Sequence, residues 1–165
     1  MPDAKTFHTF NALVSELDYP MFVVTTAVGE ERAGCLVGFA SQCSIDPPGF
    51  LVCLSKQNRT YRLARTAELV GVHFLPEDAG DLAELFGGKT GDDVDKFARC
   101  AWRPGAGGVP LLERCRNRFI GKTVARMDVG DHVAFVLLPV MAEKGHPGDQ
   151  FPFHRAKRIE AGHEA

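Results

Sequence analysis

Apolar residues return at helical spacing at Phe7, Phe10, Leu13, Val14 and Leu17, which predicts a short amphipathic helix from about Thr6 to Leu17 closing one end of a core. Asp18, Tyr19 and Pro20 end that pattern. From Met21 to Val28 the run MFVVTTAV is β-branched and aromatic, and the polar, glycine-bounded GEERAG leads into a second β-like run, so a hairpin is expected. Pro47 and Pro48 remove two backbone donors and restrict the residues before them. The chain must leave a ladder there and re-enter it from Phe50 to Leu54.

Beyond SKQN, the segment RTYRLARTA patterns as a helix, LVGVHFL as a buried strand, and PEDAGDLAELFGG as a helix with acidic residues near its start and glycine at its end. Residues 87–108 are loop-rich around an apolar island of Val94, Phe97 and Trp102, the composition of a segment that covers a ligand. FIGKTVARMDV and VAFVLLPVMAE flank Gly130-Asp131, a strong signal for a tight hairpin that makes His132 the first residue of a strand. The sum is several antiparallel strands with two or three short helices, a small β-barrel with appended helices in a single domain over residues 1–165. A doubly wound α/β sheet would need regular strand-helix alternation and a phosphate loop after the first strand. The GAGG at 105–108 has the wrong spacing for that loop.

At 165 residues the chain can bury a core without metal or disulfide staples, and 45% hydrophobic with 24% charged residues is the balance of an ordinary globular protein. The 19 Lys and Arg against 21 Asp and Glu leave a net charge of −2, which argues against nucleic acid or an anionic membrane as the main partner. FHRAKRIEAGH is locally basic but interrupted by apolar residues and Glu160, and reads as a solvated end segment. The N-terminus lacks a basic stretch followed by an apolar one, and VAFVLLPVMA is too short and proline-broken to span a bilayer, so a cytoplasmic location is expected. Cys35, Cys43, Cys53, Cys100 and Cys115 form an odd set without a CxxC pair, read as reduced, mostly buried thiols. His8, His73, His132, His146, His154 and His163 are scattered without ligand spacing, so no metal site is expected.

The stretch GCLVGFASQCSIDPPGFLVCLSK holds less side chain than a core strand needs. If Cys35 to Ser44 is one extended run, Leu36, Gly38, Ala40, Gln42 and Ser44 share a face that is bare around Gly38 and Ala40. Glycine inside a strand costs about 0.5–1 kcal/mol against alanine, so its presence asks for a cause. A bulge, a bulky neighbour such as Trp102, or a ligand lying against the backbone would each supply one, and the residues alone leave all three open.

Four signatures follow one another: CLVGFASQCSIDPPGFLVCLSKQNRTY, LVGVHFLPEDAGDLAELFGG, DKFARCAWRPGAGGVPLL and VGDHVAFVLLPV. Together they resemble the flavin reductase-like family from about Tyr19 to Gly162, with SIDPP and GDH the most specific parts. The resemblance implies a mainly β fold, an antiparallel FMN-binding split β-barrel with a few short α-helices. It also implies a homodimeric oxidoreductase that passes a hydride from NADH or NADPH to FMN, or to FAD, for a partner monooxygenase. On this likeness the flavin lies along Gly38, Phe39, Ala40, Ser41, Gln42, Cys43 and Ser44. Its phosphate falls near Ser55, Lys56, Asn58, Arg59 and Thr60, a mixture of neutral donors and cations. By residue type, SKQNRT is equally a polar turn in which Asn58 or Thr60 caps the next helix, and the two roles are compatible. His132 of GDH, by itself an exposed turn residue, is implied to lie beside the flavin and help hold the nicotinamide. Such chemistry belongs to the two cofactors, which must be held about 3–3.5 Å apart, and it requires few catalytic side chains.

Leu36, Gly38 and Phe39 stand where many members of that family carry a hydroxyl-rich run, and His73 stands where Asn is often found, implying a changed pocket edge. Two alternatives therefore stay open. One is a split barrel that holds a flavin or deazaflavin without free NAD(P)H:flavin reductase activity, and the other is a non-catalytic dimer module.

Overall fold

The computed structural model describes residues 1–145 and 147–162, so His146 and His163 of the scattered histidines lie outside the described residues. Helix α1 (Ala4–Ser15) starts on Asp3, whose carboxylate accepts the Thr6 amide at 2.8 Å. It forms where the apolar spacing predicted a helix but buries none of its residues, and Phe7, Phe10 and Leu13 are each more than half exposed. The stripe therefore does not close the core.

Strands β1 (Phe22–Val28) and β2 (Glu31–Val37) form the first hairpin, turning on Gly29-Glu30 with Gly29 at φ 60. The rest of GEERAG already pairs with β1. Gly34 sits within that ladder, where a Cβ would lie 2.8 Å from the Phe86 ring. The chain continues through β3 (Ala40–Ser44), β4 (Gly49–Ser55), α2 (Arg59–Ala64), β5 (Leu69–Phe74) and α3 (Gly80–Gly87). A 3-10 turn at Lys96–Arg99 leads to the short antiparallel pair β6 (Trp102–Pro104) and β7 (Pro110–Leu112). The long hairpin β8 (Arg118–Asp128) and β9 (His132–Glu143) follows, then α4 (Phe153–Ala156). The Val129 amide donates to the His132 carbonyl at 3.1 Å and closes that hairpin on Gly130-Asp131, as expected.

Seven strands make one antiparallel sheet in the order β2-β1-β5-β8-β9-β4-β3. The sheet curls around its own apolar face: Val24 of β1, Val37 of β2, Val52 of β4, Val72 of β5, Phe119 of β8 and Phe135 of β9 share one buried cluster with Ala64 of α2. Phe22 meets Phe50 edge-on at 5.5 Å, tying strands from opposite halves of the sheet. This is the mainly β, antiparallel split barrel with a few short helices. A second cluster lies outside the curl, where Leu82 and Phe86 of α3 pack on Met21, Val23, Phe97 and Phe151. Phe97 and Trp102 meet at 5.7 Å within that packing, so these two residues of the apolar island anchor the segment in the outer core.

His73 is also a departure. Its parity in β5 turns it away from any pocket edge and buries it completely, with Nδ1 3.0 Å from the Val23 carbonyl and Nε2 accepting the Leu112 amide at 3.1 Å. The ring thereby ties β1 and β7 to β5, and burial, with Arg118 adding to it, pushes its pKa down to about 4. All five thiols are unpaired: Cys35 and Cys115 are buried, Cys53 and Cys100 half-buried, and Cys43 exposed. No helix among the described residues is long and apolar enough to cross a membrane.

Candidate functional site

The single strand expected from Cys35 to Ser44 is two strands. β2 ends at Val37 on one edge of the sheet, the chain crosses at Gly38-Phe39, and β3 begins at Ala40 on the opposite edge. Gly38 is bare because a Cβ there would come 2.8 Å from the Tyr19 ring and 3.1 Å from the Met21 sulfur. A bulky neighbour is thus present, and it is Tyr19 with Met21, not Trp102.

At this crossing the sheet opens a cavity of about 310 Å³. The last residues of β2 and of β4 both face it, from Cys35 to Val37 and from Cys53 to Ser55, so the cavity occupies the seam where the curled sheet's two halves meet. Pairing of β4 with β9 puts Ser55 directly opposite His132, which places a hydroxyl and an imidazole side by side. Asn58 joins them, its side chain accepting the Thr60 amide at 2.9 Å as the N-cap of α2. His132 Nδ1 lies 2.7 Å from Asp131 Oδ1, which fixes the ring and leaves Nε2 for another partner. The same hydrogen bond holds the Asp131 carboxyl below its ordinary range. Phe39 presents its ring 5.3 Å from the imidazole. Most of the remaining wall is apolar, with Tyr19 stacked on Phe153 at 4.5 Å and 12° beside Met21, Leu36 and Leu54.

Of the residues expected to bind cofactor, the cavity gathers Gly38, Phe39, Ser55 and Asn58, together with His132. Ala40, Ser41, Gln42, Cys43 and Ser44 run along the largely exposed edge strand β3 and do not line it. Cys43 sits at a register shift there, and the Ser41 and Gln42 side chains bond to carbonyls of their own strand. Lys56 pairs with Asp128 at 2.7 Å and Arg59 with Glu31 at 3.5 Å, both away from the cavity wall, and Thr60 is buried in α2. Sequence reasoning missed the C-terminal wall. Phe153, Ala156, Lys157, Ile159 and Ala161 all line the cavity, so this is no merely solvated end. The signal was the three-residue recurrence of Phe153, Ala156 and Ile159, masked by the charges between them. Among the described residues no group of three or more His, Cys, Asp or Glu is placed to hold a metal ion.

A cavity with flat apolar walls and a cluster of neutral hydrogen-bonding groups at one side suits a ligand with a planar ring body and a polar chain. The family described as flavin reductase like domain matches residues 14–156. The chain is 29% identical to the FMN reductase (NADH) RutF of Klebsiella pneumoniae, over 84% of each protein. It is 30% identical to the reductase subunit HsaB of a flavin-dependent monooxygenase from Mycobacterium tuberculosis, covering 75% of this chain and 65% of that one. It spans 37% of the length of another curated relative. Among solved structures, an FMN-binding protein from Thermus thermophilus with bound 1-cyclohex-2-enone superimposes with a TM-score of 0.73 at 28% identity, over 78% of this chain and 72% of that one.

Proposed function

Because the chain belongs to the flavin reductase-like family, matched over residues 14–156, we propose that it is an oxidoreductase passing a hydride from NADH or NADPH to FMN or FAD. The observation that carries this reading is the seam cavity, in which the Ser55 and His132 strand-end pair meets flat apolar walls. The donor set fits a flavin: apolar walls suit the ring system, and the Ser55 hydroxyl and Asn58 amide suit its polar chain. Bound flavin supplies a hydride-accepting ring, and the chain's own work is positioning. Leu36, Phe39 and Leu54 keep water from the ring's surroundings, while Asp131 holds the His132 imidazole so that Nε2 can orient a nicotinamide amide. No side chain has to move a proton for that step.

In the same reading the chain is one domain that works as a cytoplasmic homodimer and hands reduced flavin to a partner monooxygenase. The reductase-subunit name of the HsaB relative supports the partner, and the exposed apolar face of α1 supports association of copies. The likeness to an FMN-binding protein favours a second reading, in which flavin is held without free reductase turnover. Titration with FMN followed by NADH or NADPH separates the two. Saturable flavin binding with oxidation of the nicotinamide is expected, binding without oxidation selects the second reading, and absence of both overturns each of them.

A further inference from the structure

Among the described residues the cavity wall contains one permanent charge, and it comes from outside the part of the chain that matches the family. Residues 157–161 follow the matched region, which stops at 156, yet Lys157, Ile159 and Ala161 all line the cavity. This short strap is held in place at both ends. At its start, α4 is fixed by the Phe153 amide on the Tyr19 carbonyl at 2.8 Å and by the Tyr19-Phe153 stack. Ile159 packs on the outer core, and beyond it the Gly162 amide reaches the Gly87 carbonyl at 3.3 Å. Gly162 passes so close to the backbone at Lys89-Thr90 that a Cβ would fall 2.6–2.9 Å from it, so the strap sits flush against the end of α3.

Lys157 is the only Lys, Arg, Asp or Glu among the described residues of that wall. No hydrogen bond or ion pair ties its ammonium to another described side chain, whereas Lys56 and Arg59 are already paired with Asp128 and Glu31. A lysine's flexible four-carbon stem lets the ammonium follow an anionic group over several ångströms. We propose that Lys157 is the cation that meets a phosphate of the nucleotide bound in the seam cavity, making the C-terminal strap a specificity-determining wall. This rests on the reading of the cavity as a nucleotide-cofactor site. The phosphate has two sources, the flavin mononucleotide's own or that of the nicotinamide nucleotide.

The test is equilibrium binding, read by flavin fluorescence and by calorimetry, on the full chain and on K157A, K157R and K56A. Riboflavin, FMN, NADH and NADPH serve as ligands at low and high salt. Loss of one charge-assisted contact is expected to weaken a phosphate ligand about tenfold in K157A, with riboflavin unchanged and K157R retaining most of the affinity. A loss for FMN but not riboflavin assigns the contact to the flavin phosphate, and a loss confined to NADPH assigns it to the nicotinamide nucleotide's extra phosphate. Unchanged binding of every phosphate ligand by K157A overturns the proposal, as does an equal loss for riboflavin, or a loss in K56A in its place. Failure of the unmodified chain to bind any of the four is a distinct result that removes the cofactor-site reading itself.

Discussion

At the scale of single residues, the bare position at Gly38 that drew attention in the sequence has a packing cause. Gly38 makes room for Tyr19 and Met21 at the point where the chain leaves one sheet edge for the other, and all three line the cavity. Gly38→Ala should therefore push the Tyr19 ring off its seat, lowering stability by about 1–3 kcal/mol as overpacking does and weakening flavin binding. Urea unfolding with a flavin titration measures both, and an unchanged midpoint would count against the tight contact. His132 lines the cavity beside Ser55 and is anchored on Asp131, a contact that the sequence did not specify. If its role is to orient the nicotinamide, His132→Ala should slow reduction by roughly tenfold to a hundredfold and raise KM for NADH. Flavin affinity should stay within about twofold, and His132→Asn should recover part of the loss.

At the scale of elements, the longer strands were legible because β-branched runs, turn signals and the Pro47-Pro48 break mark their ends locally, whereas the short β6 and β7 were not expected. Partners were not legible. Nothing local says that β2 and β3, three residues apart, belong to opposite edges of one sheet, because that depends on ladders formed with distant strands. The same limit hid His73, whose task is to join β5 to β1 through the Val23 carbonyl and to β7 through the Leu112 amide. That ring is neutral when folded. With its folded value near 4 against an ordinary 6.5, the unfolded chain binds the proton first as pH falls. Stability from this group is thus complete above pH 6.5 and is lost progressively as pH drops toward 4, by up to about 3 kcal/mol. Urea midpoints between pH 7 and pH 4.5 should fall more steeply for the unmodified protein than for His73→Gln, and parallel profiles would contradict the assignment.

At the scale of the whole molecule, the sheet's curl does what no single motif does: it brings the ends of β2, β4 and β9 to one seam, with Asn58 beside them and the C-terminal strap as a further wall. Ser55, Asn58 and His132, which the motifs singled out, sit at a strand end or helix cap and line the cavity. The strap's contribution was hidden because its apolar residues are interleaved with lysine, arginine and glutamate. The charges in SKQNRT pointed to a phosphate, but folding pairs Lys56 and Arg59 with carboxylates on β8 and β2. What remains is a cavity of largely apolar walls with Ser55, Asn58 and His132 on it, for which the proposed work is to hold a nicotinamide and a flavin for hydride transfer. The most direct measurement is anaerobic mixing of the FMN-loaded protein with NADH or NADPH while the oxidised flavin's visible absorption is followed. The account predicts rapid bleaching, restored by oxygen and slowed in His132→Ala. Flavin that binds yet stays oxidised with both nicotinamides would contradict it.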